Sequence, residues 1–486
     1  MKRLVPVALA ALLTLTLTAG GVPAASAALH VVHGTTLSAQ QSEELVASYV
    51  RLTGEFYKKV DRQAMLDGAR TSMIDYLKKH KVANATLPAL HAGDDDVTNT
   101  EALNREVSTA VGEYATKLEP VESMSGSTQI TYAAIAGVLG SVKDRWTMFY
   151  TPKEYASIND LLDGTSFGGV GISYDIDDAT HMLHVENVIL DGPSDKAGLQ
   201  PDDMIAAING KPVSDLLAPA LPEKDDQKRL TAEQNIVTAQ LRGNPGTRVQ
   251  LTLVRAGKTL DPVTITRETI HQPSVSSKML PNGIGYVDLA VFGQTTAQEL
   301  NVALRRLDSE GAKAFVLDLR YNGGGYLNAA VDVSSKFIAS GPIVSVQSRA
   351  GNDTEYDADN SAIAPRPLAV LVNQLTASAS EITAGAIQDS GVGTIIGTKT
   401  FGKGVVQTIY PMRDGSALRI TTARYFTPKG HDINMVGIEP EIVSDLPKNT
   451  RIRPGDPAQD PQLAAAVSFL DGRIAQTVSQ PPPKSR

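Results

Sequence analysis

A hydroxyl nucleophile and a lysine suited to deprotonate it stand in two neighbouring segments. The first is LVNQLTASASEITAGAIQDSG, from Leu371 to Gly391, and the second is TKTFGKGVVQ, from Thr398 to Gln407. Strand text (PLAVLVN) gives way to small residues and then to a helix reading that begins near Ser378. A serine at a helix start meets unpaired N–H groups and the positive end of the helix dipole, both favourable to developing oxyanion charge. Position alone is weak, because Ser380 or Thr376 would serve equally as a helix cap, with Glu381 helping to close the turn. Lys403 lies between Gly402 and Gly404, with Phe401, Val405 and Val406 close by. A lysine acts as a base only when neutral, so its pKa must fall from about 10.4 by burial, and these neighbours suit that. The plain alternative is a solvated lysine in a turn. Gln407 offers a carbonyl oxygen to hold the amine. Serine, lysine and glutamine together would make a serine hydrolase that needs no histidine.

A third segment, DLRYNGGGYL from Asp318 to Leu327, ends a strand reading at Arg320 and continues into Gly323, Gly324 and Gly325. Such a loop can aim backbone N–H groups, and of the two donors an oxyanion hole takes, one could come from this loop and the other from Ala379. A simple strand-end turn explains the glycines equally well. GTKTFGKG, from Gly397 to Gly404, satisfies G-x-x-x-x-G-K, yet Gly404 stands where a magnesium-binding hydroxyl belongs. The VVQTIYPM that follows is β text, whereas a phosphate loop feeds a helix, which argues against nucleotide binding. The eight histidines include no H-E-x-x-H, and His181 and His184 would face opposite sides of a strand, so no metal site is expected. His271 and His431 lack the local context of a triad base. Asp94 to Asp96 fit a solvated helix start better than a calcium loop.

These residues need elements to position them. The 486 residues suggest two or three domains, and 42% hydrophobic with 20% charged residues is ordinary for a soluble protein. A net charge of -8 without a basic cluster argues against nucleic acid as a partner. Lys2 and Arg3, an apolar run from Leu4 to about Ala19, and Ala25-Ser26-Ala27 give residues 1–27 the layout of a signal peptide. The rival is an uncleaved membrane anchor. No cysteine is present, which rules out a disulfide, a Cys-zinc site and a catalytic thiol. Export without cysteine points to the bacterial periplasm or cell envelope.

The expected fold class is α+β and multidomain. Residues 28–166 read as a helical N-terminal region that contributes to the core or to an oligomer, with EELVASYVRLTGEFYKKV and AMLDGARTSMIDYLKKH at helical spacing. Residues 167–268 read as a compact β-rich unit of short alternating segments, interrupted by an exposed or mobile insert from Ser214 to Leu230. Residues 269–450 alternate strand and helix, and their continuous apolar strands imply a sheet covered on both faces. Residues 451–486 end in a weak helix and a PPPKSR tail.

The three segments and the β unit together resemble the tail-specific, or C-terminal processing, peptidases: serine endopeptidases with a Ser-Lys centre and an embedded PDZ domain. The family's D-L-R-x-N-P-G-G is matched by DLRYNGGGYL, its S-A-S-A-S-E-I by TASASEI, and its T-F-G-K-G-x-V-Q by TFGKGVVQ. Its later Y-Y-T-P and G-I-x-P-D are matched by YFTP from Tyr425 and GIEPE from Gly437. The resemblance spans about Ala133 to Glu441. It implies Ser378 as nucleophile, Lys403 as general base, Gln407 as the residue orienting the lysine, and the Gly324 and Ala379 amides as oxyanion donors. Gly323 replaces the family's proline and Thr376 its first serine; Gly323 would leave the glycine loop looser.

FGGVGI, from Phe167, stands where a PDZ carboxylate-binding loop would lie. The resemblance implies that the amides of Gly169, Val170 and Gly171 receive a terminal carboxylate, with Ile172 and the helix around Val237 lining the last side chain's pocket. The implied partners are protein or peptide substrates with free, apolar C-termini. The N-terminal helices are open to homo-oligomer formation, gating or adaptor binding. No metal or organic cofactor is implied. The alternative is a catalytically silent PDZ scaffold or chaperone for envelope proteins.

Overall fold

The computed structural model describes residues 37–446 and 455–479, apart from 163–165, 178, 190–191, 221–225, 272 and 352. The expected signal segment, His30, His33, the middle of the Ser214–Leu230 insert and the PPPKSR tail lie outside the described residues. Among those described, no helix is long and apolar enough to cross a membrane. The chain forms two compact units, one of residues 163–273 and the other of the segments on either side.

The larger unit is built on a six-stranded sheet in the order Val275–Leu280, Ile284–Leu289, Ala314–Asp318, Leu368–Val372, Thr394–Gly397 and Ile442–Val443. Only the first pairing is antiparallel. Every residue of Ala314–Asp318 and Leu368–Val372 is buried, as strands covered on both faces require. One face packs on helices Thr296–Ser309, Leu327–Ser334 and Ala379–Ser390, the first through Leu300, Ala303, Leu304 and Leu307 at helical spacing. The other face is closed by Leu463, Ala466 and Leu470 of helix Pro461–Ser479.

A second, antiparallel sheet centres on Ala417–Phe426, which pairs with Met148–Tyr150, Val405–Pro411 and Pro342–Ser348, and the last of these with Thr354–Asp357. Helices Ala39–Glu55, Arg62–Lys79, Asp96–Tyr114 and Gly126–Gly140 share one core, into which this sheet inserts Leu418 and Ile420. The N-terminal helices therefore belong to the unit that carries the α/β core. Asp95 caps the third of them by accepting from Thr98 N, so the acidic run is a helix start.

The smaller unit has a sheet in which Ile172–Ile176 pairs with Leu183–Val188 and, among the described residues, with no strand on its other side. Helix Asp226–Leu241 packs on this sheet. The expected insert needs correction: Val213–Leu217 is helical, and Val213 and Leu217 are buried in the core. Their apolar side chains pin a segment whose charged continuation made it read as exposed. The sequence reading also passed over Met148–Tyr150, Pro342–Ser348 and Thr354–Asp357, short strands whose only support is pairing with distant segments.

Candidate active site

Ser378 follows the central strand Leu368–Val372 and immediately precedes helix Ala379–Ser390. Its backbone has φ 58° and ψ −117°, a conformation that costs a non-glycine residue about 1–3 kcal/mol. The neighbours hold it there. Thr376 Oγ1 accepts from Asn373 N at 2.9 Å and donates to Leu319 O at 2.8 Å. Asn322 O accepts from Ala377 N at 3.1 Å and from Ser380 Oγ at 2.9 Å. Thr376 and Ser380 thus rivet the serine segment to the glycine loop instead of capping the helix. The Ser378 hydroxyl is buried and has no hydrogen-bond partner among the described residues.

Two side chains bring residues 378 and 403 together. Glu381 is fully buried, and its Oε2 accepts from Ser378 N at 2.8 Å and from Lys403 N at 2.9 Å. Its Oε1 accepts from Gly402 N at 2.7 Å and Thr400 Oγ1 at 2.5 Å. Burial pushes the Glu381 carboxyl up, and these four donors push it back. Tyr425 Oη donates to the carbonyl of Ser378 at 3.1 Å and also to that of Lys403. The two segments are therefore clamped at both amide and carbonyl. Glycine is required at 404, where a Cβ would lie 2.6 Å from Asn434 N.

Lys403 has no exposed surface, and burial takes its pKa well below the usual lysine range. The Arg419 cation lowers it further, Arg145 adds to that, and Glu381 and Asp144 oppose. Nζ lies 4.5 Å from the centroid of the Trp146 ring. Gln407 is buried on Val405–Pro411, where a register shift after Val406 places it opposite Thr421. Its Nε2 is 3.4 Å from both Val405 O and Thr421 Oγ1, and that hydroxyl donates to Asp144 Oδ2 at 2.5 Å. A buried lysine of lowered pKa, clamped through its backbone to a strained serine, has residue types suited to nucleophile activation.

The glycine loop is pinned despite Gly323. Asn322 Nδ2 donates to Leu289 O at 2.6 Å, and Asn322 Oδ1 accepts from Gly324 N at 2.8 Å. Gly325, at φ +150°, approaches Phe292 so closely that a Cβ would sit 2.1 Å from its carbonyl oxygen. Arg320, just ahead of the loop, is 4% exposed and pairs with both Asp318 and Asp460. Asp460 stands at the start of the helix that closes the sheet, so Arg320 ties this helix to the loop. Asp460→Ala is expected to cost about 3–5 kcal/mol in denaturant unfolding, because it strips a buried charge of one partner.

In the smaller unit, Gly169 ends strand Ser166–Gly169, paired opposite Glu268, and Gly171 has φ +76°. Val170 O accepts from Ser194 N and Oγ, and Ile172 opens the edge strand Ile172–Ile176. Val237 is fully buried in this unit's core with Val170, while Ile172 is half-buried against it. Sequence reasoning saw Glu381 only as a turn closer and Tyr425 only as a motif letter, and it missed Arg419 and Asp144. A capping-box spacing from Ser378 to Glu381 was the one local signal available.

Residues 283–444 match the family model for peptidase family S41, and residues 184–218 match that of a PDZ domain. The chain is 34% identical over 350 residues to the carboxyl-terminal-processing protease of Synechocystis sp. (strain ATCC 27184 / PCC 6803 / Kazusa), covering 71% of this chain and 78% of that one. It is 33% identical over 346 residues to the carboxy-terminal processing protease CtpA of Bacillus subtilis (strain 168), covering 71% and 68%. Among solved structures, the photosystem II D1 C-terminal processing protease is 26% identical with a TM-score of 0.44, covering 84% of this chain and 94% of that one.

Proposed function

The chain belongs to the carboxyl-terminal-processing serine proteases of peptidase family S41, and from that premise we propose an exported endopeptidase with a Ser378-Lys403-Gln407 centre that captures substrates by their free C-termini. The observation that carries this reading is the double clamp of Glu381 and Tyr425 on residues 378 and 403, with Lys403 buried and its pKa lowered.

Neutral Lys403 Nζ takes the proton of Ser378 Oγ as the oxygen attacks the scissile carbonyl carbon. Geometry for this transfer tightens when substrate enters, as catalytic hydrogen bonds commonly do. The carbonyl electrons move onto oxygen, facing the amide of Ala379, which as first helical residue has no intrahelical acceptor. The Gly324 amide joins as second donor by exchanging its bond to Asn322 for one to the oxyanion. Collapse breaks the C–N bond, and Lys403 returns the proton to the departing amine. A water then gives a proton to Lys403 and attacks the acyl carbon, and collapse breaks the ester C–O bond as Lys403 passes that proton to Ser378 Oγ, which restores the serine and the neutral amine. Gln407 holds the amine in line.

The PDZ domain supplies the capture step. Strand Ile172–Ile176 has an edge to which an extended peptide can add, and the amides of Gly169, Val170 and Gly171 precede it. Val237 then supports the pocket from the core, with Ile172 meeting the terminal side chain. Export to the periplasm or cell envelope rests on residues 1–27.

The test uses a loosely folded protein ending in a free apolar tail, compared with the same tail amidated. Amidation is expected to lower kcat/KM about 10- to 100-fold, the worth of charge-assisted hydrogen bonds to the carboxylate. Equal cleavage of both would remove carboxylate capture. Tail binding without cleavage of either would favour a scaffold.

A further inference from the structure

We propose that Arg419 sets the working pH of the reaction, by holding a permanent positive charge near Lys403 beside the Trp146 ring that both side chains approach. This rests on the reading of Lys403 as the general base.

Arg419 lies on strand Ala417–Phe426, opposite Ile409 of the hairpin strand that carries Gln407. It is 1% exposed, and Lys403 is 0% exposed. Its Nε donates to Trp146 O at 2.7 Å, and its guanidinium carbon lies 6.0 Å from the Trp146 ring centroid. Lys403 Nζ lies 4.5 Å from that same centroid. The exposed Arg145 also lies over that ring, its guanidinium carbon 4.5 Å from the centroid, so three basic side chains share the chain's single tryptophan, and Lys403 and Arg419 are the two that are buried.

A buried guanidinium ordinarily faces a carboxylate, as Arg320 faces Asp318 and Asp460. Arg419 forms no ion pair among the described residues, and its Nη1 has no hydrogen-bond partner there. Besides its bond to Trp146 O, its guanidinium faces the Tyr150 ring, with the centroid at 5.4 Å. An arginine stays protonated across the working range. Such a charge, buried without an ion pair among the described residues, works against a second cation near the same ring.

The other charged groups around the lysine come from two segments, the helix that carries Glu381 and the turn that carries Asp144 and Arg145. Glu381 and Asp144 favour its charged form, and Arg145 disfavours it. Both carboxylates are already engaged, Glu381 by four donors and Asp144 by Thr421 and Thr147 hydroxyls. Arg145 is exposed and screened by solvent, whereas Arg419 is not. After burial itself, Arg419 is the largest influence keeping Lys403 neutral. Burial lowers the arginine's own pKa, and Tyr150 and Asp144 oppose that. Neither catalysis of bond breaking nor contact with substrate is asked of Arg419; it acts through the lysine.

The experiment is the pH profile of kcat/KM for the full chain and for Arg419→Met, which keeps length and loses charge. With the cation gone, Lys403 holds its proton to higher pH, so the acidic limb should move up by about one unit. That is about 10-fold less activity at neutral pH, recovering toward wild type in alkali. Arg419→Gln, which retains a donor for Trp146 O, should move the limb the same way. A loss uniform across pH, an unmoved limb, or failure of both variants to fold would each assign Arg419 a structural role and overturn the proposal. Labelling of Ser378 by a fluorophosphonate separates this from the parent reading. Labelling that ignores pH and survives Lys403→Met would discard the Ser-Lys centre itself. Labelling that follows the wild-type limb and is lost in Lys403→Met, with Arg419→Met unmoved, would discard only Arg419.

Discussion

Lys403→Met is expected to abolish turnover and, at the same time, to make the protein more stable. Loss of the base should lower kcat/KM by about 10⁴-fold or more, and Ser378→Ala should do the same, because members of one nucleophilic unit fail together. The stability gain has a separate cause. A fully buried lysine must give up its proton to fold, since burial depresses its pKa well below 10.5. Between that lowered value and the unfolded one, the unfolded chain binds a proton that the native chain does not. Wild-type stability therefore rises with pH through this window, and the lysine is most destabilising at its acid end. Methionine fills a similar volume and carries no such cost. Thermal midpoints at neutral pH should favour Lys403→Met, and the gap should close toward pH 10. Ser378→Ala should leave stability nearly unchanged or slightly raised, because it removes a buried hydroxyl that has no partner among the described residues. A Lys403→Met protein that cleaves normally would sink the proposed centre; one that is inactive yet less stable at neutral pH would sink the neutral-lysine account.

Ser378, Lys403 and Gln407, the proposed centre, stand out in the sequence because each lies in a local motif whose spacing is fixed by one turn or one strand. The scaffold was legible for the same reason: the strands Ala314–Asp318 and Leu368–Val372 are continuous apolar runs, and the helices announce themselves by spacing. What holds the site together was not. Tyr425 meets residues 378 and 403 across 47 and 22 positions, and Asp460 meets Arg320 across 140. No periodicity encodes such pairings. Arg419 is a different failure. In ALRITTARYF an arginine between apolar neighbours reads as the solvent-facing side of an alternating strand, yet Ala417 to Thr421 are all buried. This strand is covered by the helical bundle on one face and by the lysine compartment on the other, so alternation loses its meaning there. The Ser214 segment misled in the opposite sense: charge further along hid the buried Val213 and Leu217.

Glu381 is the residue through which the serine and lysine segments are held in register, and its replacement carries the second largest expected effect. All four groups that meet its carboxylate are donors, and three are backbone N–H groups that cannot reverse. Glutamine has nearly the same shape, but its amide nitrogen must point at least one N–H toward another N–H. Glu381→Gln is therefore expected to be almost as damaging as Glu381→Ala, contrary to the usual ranking of conservative changes. Alanine leaves those buried donors unmet at about 1–3 kcal/mol each, so a loss of about 3 kcal/mol or more should appear in denaturant unfolding. The kinetic effect follows from geometry. Displacing the lysine backbone by about 1 Å relative to the serine is enough to slow the chemical step about 100-fold. The proposed tail capture uses the smaller unit, far along the chain from Glu381, so KM is expected to change little while kcat falls. A variant whose kcat stays near wild type would show that Tyr425 and the strand pairing suffice to align the centre. A variant that loses kcat and KM together would mean that Glu381 supports substrate binding as well as alignment.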